Sequence, residues 1–171
     1  MYSALAAAAV LAGCAPTLGP PPPGGRPPPG ASSFNAADFA WSAEPGRSSV
    51  TGQVTYRRGQ TRFVCTGATV ILTPETPWTR RRMKILYGST EQAAEPADAV
   101  RARTPSAPHG DYSAYVRRAT CDGANRFSFS KLPDGAWYAI TIARPAGGQG
   151  ESVALMRRVV TKGGRPTPVT L

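Results

Sequence analysis

The sequence predicts an all-β domain, a sandwich of about seven strands with one short helix in an inserted segment. Two observations carry this expectation. Short apolar runs with a period of two recur from Ser48 onward, each closed by a cluster of Gly, Pro, Asn or Asp, which is the spacing of paired sheets rather than of alternating strands and helices. The chain of 171 residues, 41% of them hydrophobic, is long enough for one packed domain and too short for two sizeable ones.

Taken in order, Val50, Gly52, Val54 and Tyr56 alternate with Thr51, Gln53 and Thr55, so the first strand turns one face to a core. Arg57-Arg58-Gly59-Gln60 supplies a turn, and Phe63-Val64-Cys65 begins the return strand. Residues 68–73 form the next, with Val70 and Leu72 on one face and Pro74 as its end. Residues 112–121 read as a strand, 122–126 as a turn, and Phe127-Ser128-Phe129-Ser130 as a strand with both rings inward. A Pro133-Asp134-Gly135 turn leads into residues 137–143, where Tyr138, Ile140 and Ile142 share a side. Residues 153–160 and 168–171 complete the set.

Between residues 75 and 111 the pattern breaks, and this is the predicted insertion. Thr76 suits a helix N-cap, Pro77 the first helical position and Gly88 the residue just past the end, which frames a helix over 78–87. Met83, Ile85, Leu86 and Tyr87 would also suit a strand. Residues 89–110 read as a long surface excursion with a helical turn at 97–103, the kind of segment on which a fixed scaffold carries specific activity.

The N-terminal residues carry a different signal. Residues 4–12 are apolar and uncharged, the length of an export signal and far short of a membrane span, and they end in Leu11-Ala12-Gly13-Cys14. That tetrapeptide resembles the bacterial lipobox, although no Lys or Arg precedes the apolar run. The resemblance implies a signal peptide over 1–13, removed at Cys14, and a lipidated Cys14 carrying diacylglycerol and palmitate. With Ala15 rather than Asp following, it further implies retention in the outer membrane with the domain facing the periplasm. Residues 14–47 are the lipidated Cys and a Pro-rich linker, in which Pro20-Pro21-Pro22-Pro23 and Pro27-Pro28-Pro29 extend the chain as a semi-rigid stalk. Phe34, Phe39 and Trp41 at its end can either dock on the domain or stay loose. The globular part is 48–171.

An exported chain places its remaining thiols in an oxidising compartment, so Cys65 and Cys121 are expected to pair. Closing a loop of that length contributes about 4 kcal/mol in the chain-entropy model. A metal site built on two Cys and the lone His109, or a redox pair so widely spaced, is the weaker alternative. No cofactor is implied. His109 and Asp111 lack a nucleophile elbow or oxyanion motif, and Glu91, Glu95 and Asp98 share a solvent-facing stretch, so no enzyme activity is expected.

The chain holds 20 Lys and Arg against 10 Asp and Glu, a net +10 that favours anionic partners without choosing among them. Arg57-Arg58, Arg117-Arg118 and Arg157-Arg158 are dispersed, and neighbours on a strand point to opposite faces. The densest group is Arg80, Arg81, Arg82 and Lys84 on the predicted helix, the candidate anion-contacting residues. Aromatic residues that would stack bases do not interleave the basic pairs, so nucleic acid is not an expected partner. Membrane through the lipid, an envelope protein or an anionic glycan is.

Three motifs point to a family. Val50-Thr51-Gly52-Gln53-Val54, Cys65-Thr66-Gly67-Ala68-Thr69-Val70-Ile71-Leu72-Thr73-Pro74 and Phe127-Ser128-Phe129-Ser130-Lys131-Leu132-Pro133-Asp134-Gly135 resemble the carboxypeptidase regulatory-like, transthyretin-like domains. The resemblance covers 48–171 and implies a seven-stranded Greek-key sandwich whose two Phe fill the core while the Leu-Pro-x-Gly corner turns the chain. Asn125 stands where the family has Gly before the first Phe, a residue that tolerates positive φ, and Trp137 takes the usual Tyr place. The resemblance implies a non-enzymatic, membrane-anchored binding or structural module of the envelope. The alternative is an accessory lipoprotein subunit of an envelope or secretion machine, like the transthyretin-like lipoproteins of type VI secretion.

Overall fold

The computed structural model describes residues 33–171; Cys14, the apolar run before it and the Pro-rich stretch lie outside the described residues. Ten strand segments form two sheets. They are β1 (Ser48–Gln53), β2 (Arg57–Arg58), β3 (Thr61–Val64), β4 (Thr69–Pro74), β5 (Gln92–Pro96), β6 (Arg117–Thr120), β7 (Arg126–Leu132), β8 (Gly135–Pro145), β9 (Val153–Thr161) and β10 (Pro166–Thr170). Two α-helices, α1 (Pro77–Tyr87) and α2 (Ala97–Arg103), flank β5.

The small sheet has the order β10-β1-β7, with β1 parallel to β10 and antiparallel to β7. The large sheet runs β6-β4-β8-β9-β5, all antiparallel, and the β2-β3 hairpin joins it where Phe63 pairs with Pro145 near the end of β8. The predicted alternation explains why the sheets face each other. Val50 and Gly52 of β1, Val70 and Leu72 of β4, Trp137 and Ala139 of β8, and Phe127 and Phe129 of β7 all point inward and are buried. Gly52 is required here, because a Cβ at that position would lie 2.0 Å from the Phe127 ring. Trp137 is fully enclosed and donates its indole N–H to Thr161 Oγ1 at 3.1 Å. Cys65 and Cys121 form a disulfide with their Cα atoms 5.7 Å apart, at the ends of β3 and β6.

The insertion forms a third layer. Met83, Leu86 and Tyr87 of α1 pack with Ala107 on Tyr138, Ala154 and Met156 of the outer face of the large sheet. Helix α1 has the predicted bounds, Thr76 accepting the Thr79 N–H at 3.1 Å while Thr79 Oγ1 accepts the Thr76 N–H at 2.7 Å. Gly88 closes it at φ +70°, and α2 falls where a helical turn was expected.

Several expectations are corrected. The insertion holds two helices and the strand β5 rather than one helix, because the open edge of β9 pairs residues 92–96 through a backbone ladder. Arg57 and Arg58 form a short strand, leaving the turn to Gly59 and Gln60. The strand expected at 112–121 begins only at Arg117; Ser113–Tyr115 is a 3-10 turn because Tyr112 packs on Trp78 and Tyr115 on Phe39. The stretch read as linker up to residue 47 joins the domain at residues 33–43, the docked one of the two alternatives left open. Asn35 caps a 3-10 helix (Ala36–Ala43), Phe39 is fully buried, and Trp41 packs edge-on against Trp137.

Candidate functional site

The concavity of chemical interest lies over the first two turns of α1. Its helical register explains it: Trp78, Thr79, Met83, Leu86 and Tyr87 turn inward, so Arg80, Arg81 and Lys84 occupy the solvent side. Together with Glu75, Pro77 and Thr90 they surround a cleft of about 660 Å³. Three of the four cations named from the sequence are therefore brought together.

Arg82 is not with them. Lying four residues from both Trp78 and Leu86, it faces the sheet side, its guanidinium 5.7 Å from the rings of both Trp78 and Tyr112 and its Nη1 donating to Pro108 O at 2.8 Å. As a candidate anion contact it is corrected to an internal strut.

Glu75 organises the cleft and was not singled out in the sequence, where nothing marks it. Its side chain is only 11% exposed and accepts from three donors: Arg80 Nη1 at 2.5 Å, Arg158 Nε at 2.6 Å and the Tyr138 hydroxyl at 3.2 Å. Burial first, and then the Glu75 charge and hydrogen bond, push the Tyr138 phenol above its ordinary range, so it stays a donor. Lys84 Nζ donates to Gly88 O at 2.8 Å, tying the far end of the cleft to the helix terminus. Among the described residues Arg81 has no acidic partner. The arrangement pairs one half-exposed cation, Arg80, with the sheltered Glu75 and presents two more, Arg81 and Lys84, to an incoming anion.

The remaining sequence candidates are separate. His109 is exposed with Nε2 3.1 Å from Pro105 O, while Asp111 accepts both the hydroxyl and the N–H of Ser113, whose bonds hold its carboxyl below the usual range. Glu95 is not simply solvent-facing but pairs with Arg103 at 2.9 Å. Arg157 and Arg158 point to opposite faces of β9, as expected, and only Arg158 reaches the cleft network. Among the described residues no three His, Cys, Asp or Glu side chains converge, and no helix is long and apolar enough to cross a membrane.

The chain matches no protein-family model and no curated protein. Its fold is similar to the crystal structure of a "putative carbohydrate binding protein" from Pseudomonas aeruginosa, with 23% sequence identity, a TM-score of 0.57, and coverage of 81% of this chain and 96% of that one. At that identity the likeness establishes a shared fold.

Proposed function

We propose that this chain is a non-enzymatic binding module of the bacterial envelope, tethered by lipid at Cys14, and that its α1 cleft takes the acidic groups of an envelope glycan. The observation that carries the reading is the cleft itself, where Arg80, Arg81 and Lys84 surround a concavity of about 660 Å³ over α1, on the outer face of a disulfide-linked sandwich. Carboxylates are recognised by such charge-assisted donors, and the surplus of positive charge steers anions toward them. Glu75, the acid in the cleft, has its oxygens taken by three donors, which supports a structural role for it rather than one as a free base. The lipobox-like Leu11-Ala12-Gly13-Cys14 supports the tether, and Ala15 after it supports the outer-membrane location. The carboxypeptidase regulatory-like motifs and the fold shared with a "putative carbohydrate binding protein" both support binding over turnover.

The test uses full-length protein extracted from membranes in detergent and passed over immobilised polygalacturonate and over uncharged dextran. Retention on the acidic polymer alone, released by salt and lost in Arg81→Gln/Lys84→Gln, is the expected result. Equal retention on both polymers, or on neither, overturns it, and co-purification of a stoichiometric protein partner would favour the accessory-subunit reading. Intact mass of the same extract checks the tether: a mass starting at Cys14 with acyl chains is expected, and an unprocessed, unacylated chain in Cys14→Ser.

A further inference from the structure

Resting on that reading, we propose that the ligand is an extended acidic glycan of several sugars, seated in one continuous groove that leaves the α1 cleft, rounds the β5–β9 edge and ends in a pocket beside Tyr56. Two further concavities make up this path. A seam of about 400 Å³ runs between β9 and β10, and a pocket of about 270 Å³ lies at the open end of the sandwich, where Tyr56 faces Gln92 and Arg157 over Leu155 and Ala94. The seam and the pocket share Arg157 and Thr170 as lining residues. The seam and the α1 cleft have no lining residue in common, and what links them is Arg158, which lines the seam and bonds Glu75 of the cleft.

The strand geometry makes this connection. Arg157 and Arg158 are neighbours on β9 and so project to opposite faces, Arg158 outward to Glu75 at 2.6 Å and Arg157 inward to Gln92 Oε1 at 2.6 Å. Thr90 lines the cleft and Gln92, two residues on, lines the Tyr56 pocket, so the start of β5 is the rim over which a chain would bend. Beyond Arg158, β9 has lost its β5 partner, which leaves the seam open.

The chemistry of the lining selects the occupant. Five cations, Arg80, Arg81, Lys84, Arg157 and Arg158, line the path against the carboxylates of Glu75 and Glu91, so its charge suits a polyanion. A peptide adding as a strand to β10 would be poorly served. The register of β10 on β1, with Ser49 donating to Arg165 O and Leu171 donating to Gln53 O, turns residues 166, 168 and 170 to the free edge, and Pro166 and Pro168 have no N–H to give. Tyr56, half-buried and in a T-shaped contact with Phe63 at 5.3 Å, lines the pocket with the planar Gln92 and Arg157 groups, an aromatic ring for the C–H face of a sugar and polar groups for its hydroxyl and carboxylate.

The test is calorimetry on the full chain with oligogalacturonates of two and eight sugars, and maltooctaose as the uncharged control. We expect the octamer to bind at least about tenfold more tightly than the dimer, and Tyr56→Ala/Arg157→Gln to remove that advantage while dimer affinity stays. Arg81→Gln/Lys84→Gln should weaken both. Arg157 is exposed, so Arg157→Gln alone, with dimer binding as its internal check of folding, should cost several-fold for the octamer only. An octamer advantage that survives Arg157→Gln and the double variant, or one no larger than the gain from extra registers, would overturn the continuous groove and leave the cleft standing. If neither oligomer binds, both readings fall.

Discussion

The disulfide end of the sandwich and the inserted layer are held by different means. At the disulfide end, every loop is laced to another by backbone bonds: Cys121 N–H to Ala68 O and Gly67 N–H to Cys121 O, both 2.9 Å, and Val54 N–H to Asn125 O at 2.9 Å. Asn125, at φ 61°, adds its Oδ1 as acceptor for the Cys65 N–H at 3.0 Å and the Thr66 hydroxyl at 3.3 Å. In the inserted layer only β5 is held by a backbone ladder; its helices instead rest on apolar contact and on long arginines, Arg82 across Trp78 and Tyr112, and Arg103 to Leu86 O at 2.8 Å. Among the described residues, the buried side-chain polar atoms without a partner are Trp78 Nε1 and Arg82 Nε on α1 and Thr73 Oγ1 on β4, so two of the three belong to the inserted layer. Each unmade bond of this kind costs about 1–3 kcal/mol. The scaffold is therefore the stable part, and the layer carrying the cations is the one expected to open first.

The largest way to break this asymmetry is to cut the covalent link. Cys65→Ala with Cys121→Ala, two buried positions 56 residues apart, should lower unfolding free energy by about 4 kcal/mol in denaturant titrations. A loss below about 1 kcal/mol would mean that the backbone lacing alone fixes that end. Native-state hydrogen exchange sharpens the comparison: amides of α1 should exchange at lower opening free energy than those of β4 and β8 in the intact protein, and reduction should narrow the gap by loosening the strands. Uniform protection across both regions would show that the two layers unfold as one.

Asn125→Ala should cost about 2 kcal/mol, since it removes an acceptor of two bonds and places Ala at positive φ. Gly at the same site restores the backbone but not the bonds, so it should recover about half of that loss. Equal stability of the Ala and Gly variants would remove the conformational part of the argument.

The two regions also differ in how far the sequence reveals them. Helix α1 could be bounded from Thr76, Pro77 and Gly88 because caps are local chemistry, and the clustering of Arg80, Arg81 and Lys84 follows from its periodicity. The same periodicity places Arg82 in register with Trp78 and Leu86, the signal that separates it from its neighbours. Strand β5 was illegible because Gln92-Ala93-Ala94-Glu95-Pro96 has neither β-branched residues nor alternation; it is a strand only because β9, some 60 residues later, offers an edge. Residues 112–116 misled for the opposite reason, their tyrosines suiting a strand while the aromatic cluster with Trp78 and Phe39 claimed them. Glu75, Tyr56 and Arg157 acquire meaning only through pairings between distant strands.

A smaller and more local effect is expected at the α1 cap. Thr76→Ala removes the side-chain half of the capping box and should cost about 1 kcal/mol, read as faster exchange of the first-turn amides with the sandwich amides unchanged. The same loss spread through β4 and β8 would show that α1 is part of the scaffold's cooperative unit after all.

The smallest effect is electrostatic and belongs to the sandwich loops. Asp134 accepts the Ser48 hydroxyl at 2.7 Å and the Gly163 N–H at 2.7 Å, and these bonds, the hydroxyl first, hold its carboxyl below the usual value of 3.8. Asp122 is lowered in the same way, chiefly by the Arg126 N–H. A carboxyl whose folded value lies below its unfolded one stabilises the fold above the unfolded value and loses that contribution as pH falls through the folded one. Stability from these two loops should thus be flat at neutral pH and decline only below about pH 4. Asp134→Asn keeps an acceptor for Ser48 but cannot titrate, so its midpoint in urea should fall less steeply than the parent's over that acid range. If parent and variant lose stability in parallel, the acid sensitivity lies elsewhere, and the carboxylates of the inserted layer become the place to look for it.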